Sequence, residues 1–168
     1  QAQVRLVGSG AILREVIEAQ RLLADDWQIA AEVWSATSFA ELEREAREVE
    51  RWSRLHPGEP ARTSHVARSL AGRAPIVAAS DSVRAWPQLI APHVSLSDGA
   101  RFVALGTDGF GRSDTRGALR RFFEVDRHQV VLAALAALAA SGALAHDVCT
   151  QAIARYGIDA DAPAPWRA

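Results

Sequence analysis

The 168-residue sequence has no lysine: all 19 of its basic residues are arginine. Schiff-base and lysine-nucleophile chemistry therefore cannot originate in this chain, and a Walker-type phosphate loop is excluded with them. The arginine bias itself fits the codon usage of a GC-rich genome and marks no particular site. Cysteine occurs once, as Cys149, which excludes an internal disulfide framework and a cysteine-built zinc cluster. Charge of neither sign is in excess. A net charge of −1 leaves no surplus of cations to neutralise nucleic-acid phosphates, so no nucleic-acid partner is expected. No apolar run approaches the roughly 20 residues that span a bilayer. The nearest is the Ala-rich stretch 130–145, a good helix and a poor membrane segment, so no membrane partner is expected. Residues 1–3 lead straight into a strand pattern, with no signal-peptide pattern ahead of it. The cytoplasm is the compartment these absences fit.

What is present is the composition of an ordinary globular domain, 49% apolar and 23% charged, long enough to bury a real core. Residues 4–7 read as a strand ending at Gly8, and Ile12, Leu13, Val16, Ile17, Leu23 and Trp27 then recur at helical spacing. A second strand is expected over Ala31–Ala36. Ser38 and Glu41 have the form of a capping box opening a helix toward Leu55, with Phe39, Leu42, Ala46 and Val49 on one face. Glu43/Arg47 and Glu50/Arg54 lie four residues apart on its other face, as a solvated surface.

After a Pro/Gly loop at 56–60 come a short helix near 64–71 and a third strand at 76–79. Ser80-Asp81 is expected to cap the next helix, which Pro87 should kink or shorten. A fourth strand, 102–105, ends at Gly106. Helices are expected at 116–123, from Asp126 to about Ser141 with Gly142 as its stop, and at 146–156 with Gly157 as its stop. The tail reads as irregular. Alternating strands and helices predict a single α/β domain over 1–168, a three-layer α/β/α fold. It would have a mostly parallel sheet of four to five strands and extra helices at its C-terminal end.

Two stretches are placed where α/β domains bind ligands, between a strand end and a helix start. The first is the turn Gly8-Ser9-Gly10, a candidate anion site through free helix-start amides. It matches only the first two glycines of a dinucleotide fingerprint. The third position is Leu13, so the close helix–strand contact of that motif is not expected. The second is the loop Thr107, Asp108, Gly109, Phe110, Gly111, Arg112, Ser113 and Asp114, a candidate ligand or interface loop. Its alternative reading is a tight loop whose Asp108 bonds its own backbone and whose Asp114 caps the following helix. The five histidines are scattered without zinc-site spacing, and nothing orients His146 toward Cys149 as an activated pair. His128, in the first turn of a helix, reads as structural or solvated. By residue pattern alone the chain shows no catalytic centre.

Three segments in order, "VRLVGSGAILREV" (4–16), "VWSATSFAELEREAREVERWSRLHP" (33–57) and "LGTDGFGRSDTRGALRRFFEVD" (105–126), resemble one family. It is the C-terminal domain of the homodimeric, bacterial-type pyruvate dehydrogenase decarboxylating component, in the transketolase superfamily. "GTDGFGRSD" followed by "FEVD" is the specific part, and the likeness runs from about residue 3 to residue 162. The resemblance implies a parent enzyme that uses thiamine diphosphate and magnesium to decarboxylate pyruvate and reductively acetylate lipoyl groups. The family's metal-binding Gly-Asp-Gly…Asn motif and catalytic histidines map onto no residue here, so no catalytic, cofactor or metal residue is carried over. The chain is then expected to be one domain of a much longer enzyme, inactive by itself. Its implied partners are the remaining domains of the parent, a homodimer partner and the dihydrolipoyl acyltransferase core. The competing expectation is a free-standing α/β domain binding a nucleotide or other anion near Ser9 and Asp108.

Overall fold

A computed structural model describes residues 3–168. The strands β1 (Val4–Gly8), β2 (Ala31–Ser35), β3 (Ile76–Ala79) and β4 (Phe102–Leu105) form one sheet in the order β2-β1-β3-β4, all neighbours parallel. Among the described residues the sheet has four strands, the lower of the two expected counts. Parallel neighbours need long crossovers, and helices supply them: α1 (Leu13–Trp27) between β1 and β2, then α2 (Phe39–Leu55) and α3 (His65–Leu70) between β2 and β3. The short α4 (Ala85–Gln88) joins β3 to β4. Beyond the sheet follow α5 (Arg116–Phe122), α6 (Arg127–Ala140) and α7 (Asp147–Tyr156).

Successive strand residues point to opposite faces, and the two cores follow that alternation. Val4, Leu6, Val77 and Ala79 face α1, α6 and α7 through Val16, Leu23, Val130, Leu135 and Ala152. Val7, Ile76 and Ala78 face α2 and α3 through Phe39, Ala46, Val66 and Leu70. The Ala-rich stretch is α6, whose Val130, Val131, Ala134, Leu135 and Leu138 are buried. Small side chains there let the helix lie close on the sheet. No helix among the described residues is long and apolar enough to cross a membrane.

Several local expectations need correcting. Close helix–strand contact exists without a third glycine: a Cβ on Gly8 would lie 2.8 Å from Leu13 Cα and 3.1 Å from Val16 Cγ2. Gly8 makes the space from the strand side, so Leu13 can be large. Ser80 and Asp81 do not cap α4, which starts four residues later after Arg84. The Ser80 hydroxyl is buried and accepts from the Ser82 N–H at 3.1 Å, closing a turn instead. Pro87 lies inside a helix of only four residues.

The capping box is half formed. Ser38 Oγ accepts from the Glu41 N–H, while the Glu41 carboxylate turns outward to Arg44. Glu43 pairs with Arg47 at 3.5 Å, but Glu50 reaches His93 Nδ1 on the neighbouring segment rather than Arg54. Asp126, Gly142 and Gly157 bound their helices as expected: Asp126 caps α6 through Gln129 N–H, and both glycines take positive φ.

One charged cluster holds the appended helices to the first. The Glu15 carboxylate on α1 is 4% exposed and accepts from Arg120 Nη1 at 2.8 Å, Arg127 Nε at 2.9 Å and the Arg127 backbone N–H at 3.0 Å. Burial pushes its pKa up. The bonds and charges of Arg127 and Arg120 outweigh that, and the net shift is downward. A second clasp joins α1 to α7, where Trp27 Nε1–H donates to Tyr156 Oη and the Tyr156 hydroxyl donates to Asp26, each at 2.8 Å. That bond and the neighbouring Arg155 hold Asp26 below its ordinary range. Burial and the Asp26 charge raise Tyr156. His128 stacks on the Tyr156 ring at 4.6 Å, a structural role.

Candidate functional site

Strand order reverses at β1: β2 lies on one side and β3 on the other, and α1 and α2 leave toward opposite faces. The crevice of an open α/β sheet opens at such a point, at the carboxyl ends of β1 and β3. The two stretches singled out in the sequence meet there with a third. Ser9 N–H donates to Ala79 O, Ser80 N–H to Leu105 O, and Thr107 N–H to Ser82 O at 2.9 Å. Thr107 Oγ1 also donates to Asp81 O at 2.9 Å. The turn after β1, the segment after β3 and the loop after β4 are thus laced into one edge.

At the turn, Gly10 takes φ +56° and Ser9 makes no side-chain cap bond. A Cβ on Gly10 would lie 3.0 Å from Asp81 Oδ1, so the Asp81 carboxylate stands against this turn. A fixed negative charge at that distance opposes a second anion. The first turn of the helix is also 3-10 in form, over Gly10–Ile12, which tightens the amides that an anion would use.

In the loop, Asp108 does not bond its own backbone. Its Oδ1 accepts from the Arg84 N–H at 3.1 Å, and its Oδ2 lies 3.7 Å from Arg84 Nε. Gly106 is needed for that approach, because a Cβ there would lie 2.3 Å from the Arg84 backbone nitrogen. Asp114 accepts from the adjacent Thr115 N–H at 2.7 Å, and the cap of α5 is Thr115, whose Oγ1 accepts from Ala118 N–H. Gly109, at φ +113°, lets the C-terminal tail lie on the loop: a Cβ there would be 2.6 Å from Pro165 O.

The tail is therefore ordered by contact, with a 3-10 turn at Pro165–Arg167, although its composition gave no sign of this. Phe110 projects into solvent at 85% exposure, and Gly111 has open space around it. Arg112 lies over the Phe122 ring at 4.0 Å, and Ser113 is exposed. A cleft of about 340 Å³ runs along this edge, lined by Asp81, Thr107, Gly109, Arg112, Arg116 and Arg120 among others.

The chemistry available is limited. Among the described residues no three His, Cys, Asp or Glu side chains gather as a metal site. A magnesium diphosphate needs clustered oxygen donors. The edge offers Asp81 and Asp108 beside arginines, with Asp108 already engaged by Arg84, so these residues do not fit that group. The Cys149 thiol is raised by burial, away from the thiolate a nucleophile needs. Sequence reasoning missed Arg116 and Arg120 at the cleft, Asp81 at the turn and Trp166 at the loop. The first two lie in a short helix with no buried residue, and the others become neighbours only through the fold.

The chain belongs to the family of transketolase-like C-terminal domains, whose family model matches residues 1–126. The particular relatives are more specific than the class. The chain is 52% identical over 164 residues to the pyruvate dehydrogenase E1 component of Cupriavidus necator, covering 97% of this chain and 18% of that protein. It is 52% identical over 157 residues to that of Pseudomonas aeruginosa (93% and 18%), and 44% identical over 161 residues to that of Escherichia coli K12 (96% and 18%). Each match falls in the C-terminal part of the relative, and the chain spans about a fifth of the relatives' length. Among solved structures, a split-gene transketolase in an inactive beta4 tetramer aligns at TM-score 0.49 and 18% identity, covering 84% of this chain and 40% of that one. The family model, the sequence relatives and the Asp81 carboxylate at the turn favour that family over a free-standing small-ligand domain.

Proposed function

We propose that the chain is the C-terminal assembly domain of a bacterial pyruvate dehydrogenase E1 component and carries no chemistry of its own. The observation behind this is the 52% identity running collinearly over 97% of the chain, at the C-terminal end of proteins several times longer. In this reading the parent decarboxylates pyruvate and reductively acetylates lipoyl groups in the cytoplasm. In the same reading thiamine diphosphate and magnesium belong to the other domains of the parent. The domain's partners are those other domains, the second subunit of a homodimer and the dihydrolipoyl acyltransferase core.

The test is a pyruvate-dependent assay with thiamine diphosphate and magnesium on three samples: the full-length parent, the parent lacking these residues, and this chain alone. Activity is expected in the full-length parent, with loss of activity or assembly on deletion. Turnover above background by this chain alone would overturn the reading.

A further inference from the structure

Six large hydrophobic side chains are exposed among the described residues, and four of them are Val83, Trp86, Phe110 and Trp166. They come from three segments distant in sequence that the fold presses together. The backbone of Arg84 lies against Gly106, and that of Pro165–Trp166 against Gly109, closer than any side chain at either glycine would allow. Elsewhere the surface is of another kind: the outer face of α2 carries the ion pairs Glu41–Arg44, Arg44–Glu48 and Glu43–Arg47. Clustered exposed aromatics mark a surface that something covers, and Trp, Phe and Arg are the residues enriched at interface cores. Arg112 and Arg116 line the cleft beside Gly109 and Gly111, the residues that flank Phe110, and have no carboxylate partner among the described residues, whereas Asp108 is engaged by Arg84.

We infer that the rest of the parent polypeptide docks on this carboxyl edge of the sheet, through an apolar segment seated on Trp86, Phe110 and Trp166. Acidic side chains of that segment would meet Arg112 and Arg116. The inference rests on the reading of the chain as one domain of a longer E1 component. More than four-fifths of each such relative lies outside the part this chain matches, so there is ample polypeptide to cover the patch. A second copy of this domain is the poorer occupant. Two-fold pairing sets a patch against itself, which would bring Arg112 and Arg116 near their own counterparts.

The test places the photoreactive residue p-benzoylphenylalanine at Phe110, or separately at the exposed Leu55 on α2, in the full-length parent. Both positions are exposed in the domain, so neither replacement disturbs its core. Irradiation is expected to join position 110 to peptides from outside these 168 residues. Cross-links from position 110 to the same residues of a second copy would overturn the inference. So would their absence at 110 while position 55 cross-links to the rest of the parent, and the assembly reading would then stand. Absence at both positions would overturn both.

Discussion

Replacing Glu15 by Gln tests the account of how the last helices are held. The carboxylate accepts from Arg120 Nη1 at 2.8 Å and from Arg127 N, Nε and Nη2 at 3.0, 2.9 and 3.2 Å. A glutamine keeps the shape but offers one acceptor oxygen, and its amide nitrogen would face an arginine donor. Losing two charge-assisted bonds costs several kcal/mol in a dry site. Here the Arg120 and Arg127 side chains are 21% and 40% exposed, so water recovers part of the loss. The expected cost is about 2–3 kcal/mol, or a fall in Tm of about 4–12 °C for a chain of this size.

The pH dependence has a definite sign. Glu15 titrates below its ordinary 4.5 when folded, so its contribution is fully present above that value and is lost as pH falls through the folded pKa. Urea unfolding followed by circular dichroism should show a wide gap between the unsubstituted chain and Glu15→Gln near neutrality, narrowing below pH 4.5. Equal midpoints at neutral pH, or a gap that persists unchanged in acid, would refute the reasoning.

Three further substitutions probe other contacts. Gly8→Ala sets a methyl 2.8 Å from Leu13 Cα, and overpacking of this kind should destabilise by about 1–3 kcal/mol in the same unfolding assay. Tyr156→Phe strands the Trp27 indole N–H and frees Asp26 from its hydroxyl partner. It should cost about 1–3 kcal/mol, shift Trp27 fluorescence and raise the Asp26 pKa toward its ordinary value, which carboxylate NMR titration would read. Asp126→Ala removes the cap on the Gln129 N–H and should cost about 1 kcal/mol, whereas Asp126→Asn should largely restore it.

The sequence by itself determined the elements and their order. Short apolar runs place β1, β3 and β4, helical periodicity places α1 and α2, an Ala-rich stretch places α6, and Asp126, Gly142 and Gly157 bound helices because capping depends on residues only a few positions away. The family was legible too, since "GTDGFGRSD" and the segments flanking it stand in the chain as a readable string.

What the sequence did not contain is which distant groups meet. Glu15 looks like any carboxylate on a helix until Arg120 and Arg127, more than 100 residues later, close on it. The closeness of α1 to β1 came from Gly8, because a gap between two elements can be opened from either side. The Pro-rich tail gained its order from Gly109, and Trp86, Phe110 and Trp166 share one edge only because the segments after β3 and β4 meet there and the tail packs onto the second of them. Local chemistry fixes caps and periods within a few residues. Charge pairing, close approach and shared surfaces depend on separations that only the folded chain sets.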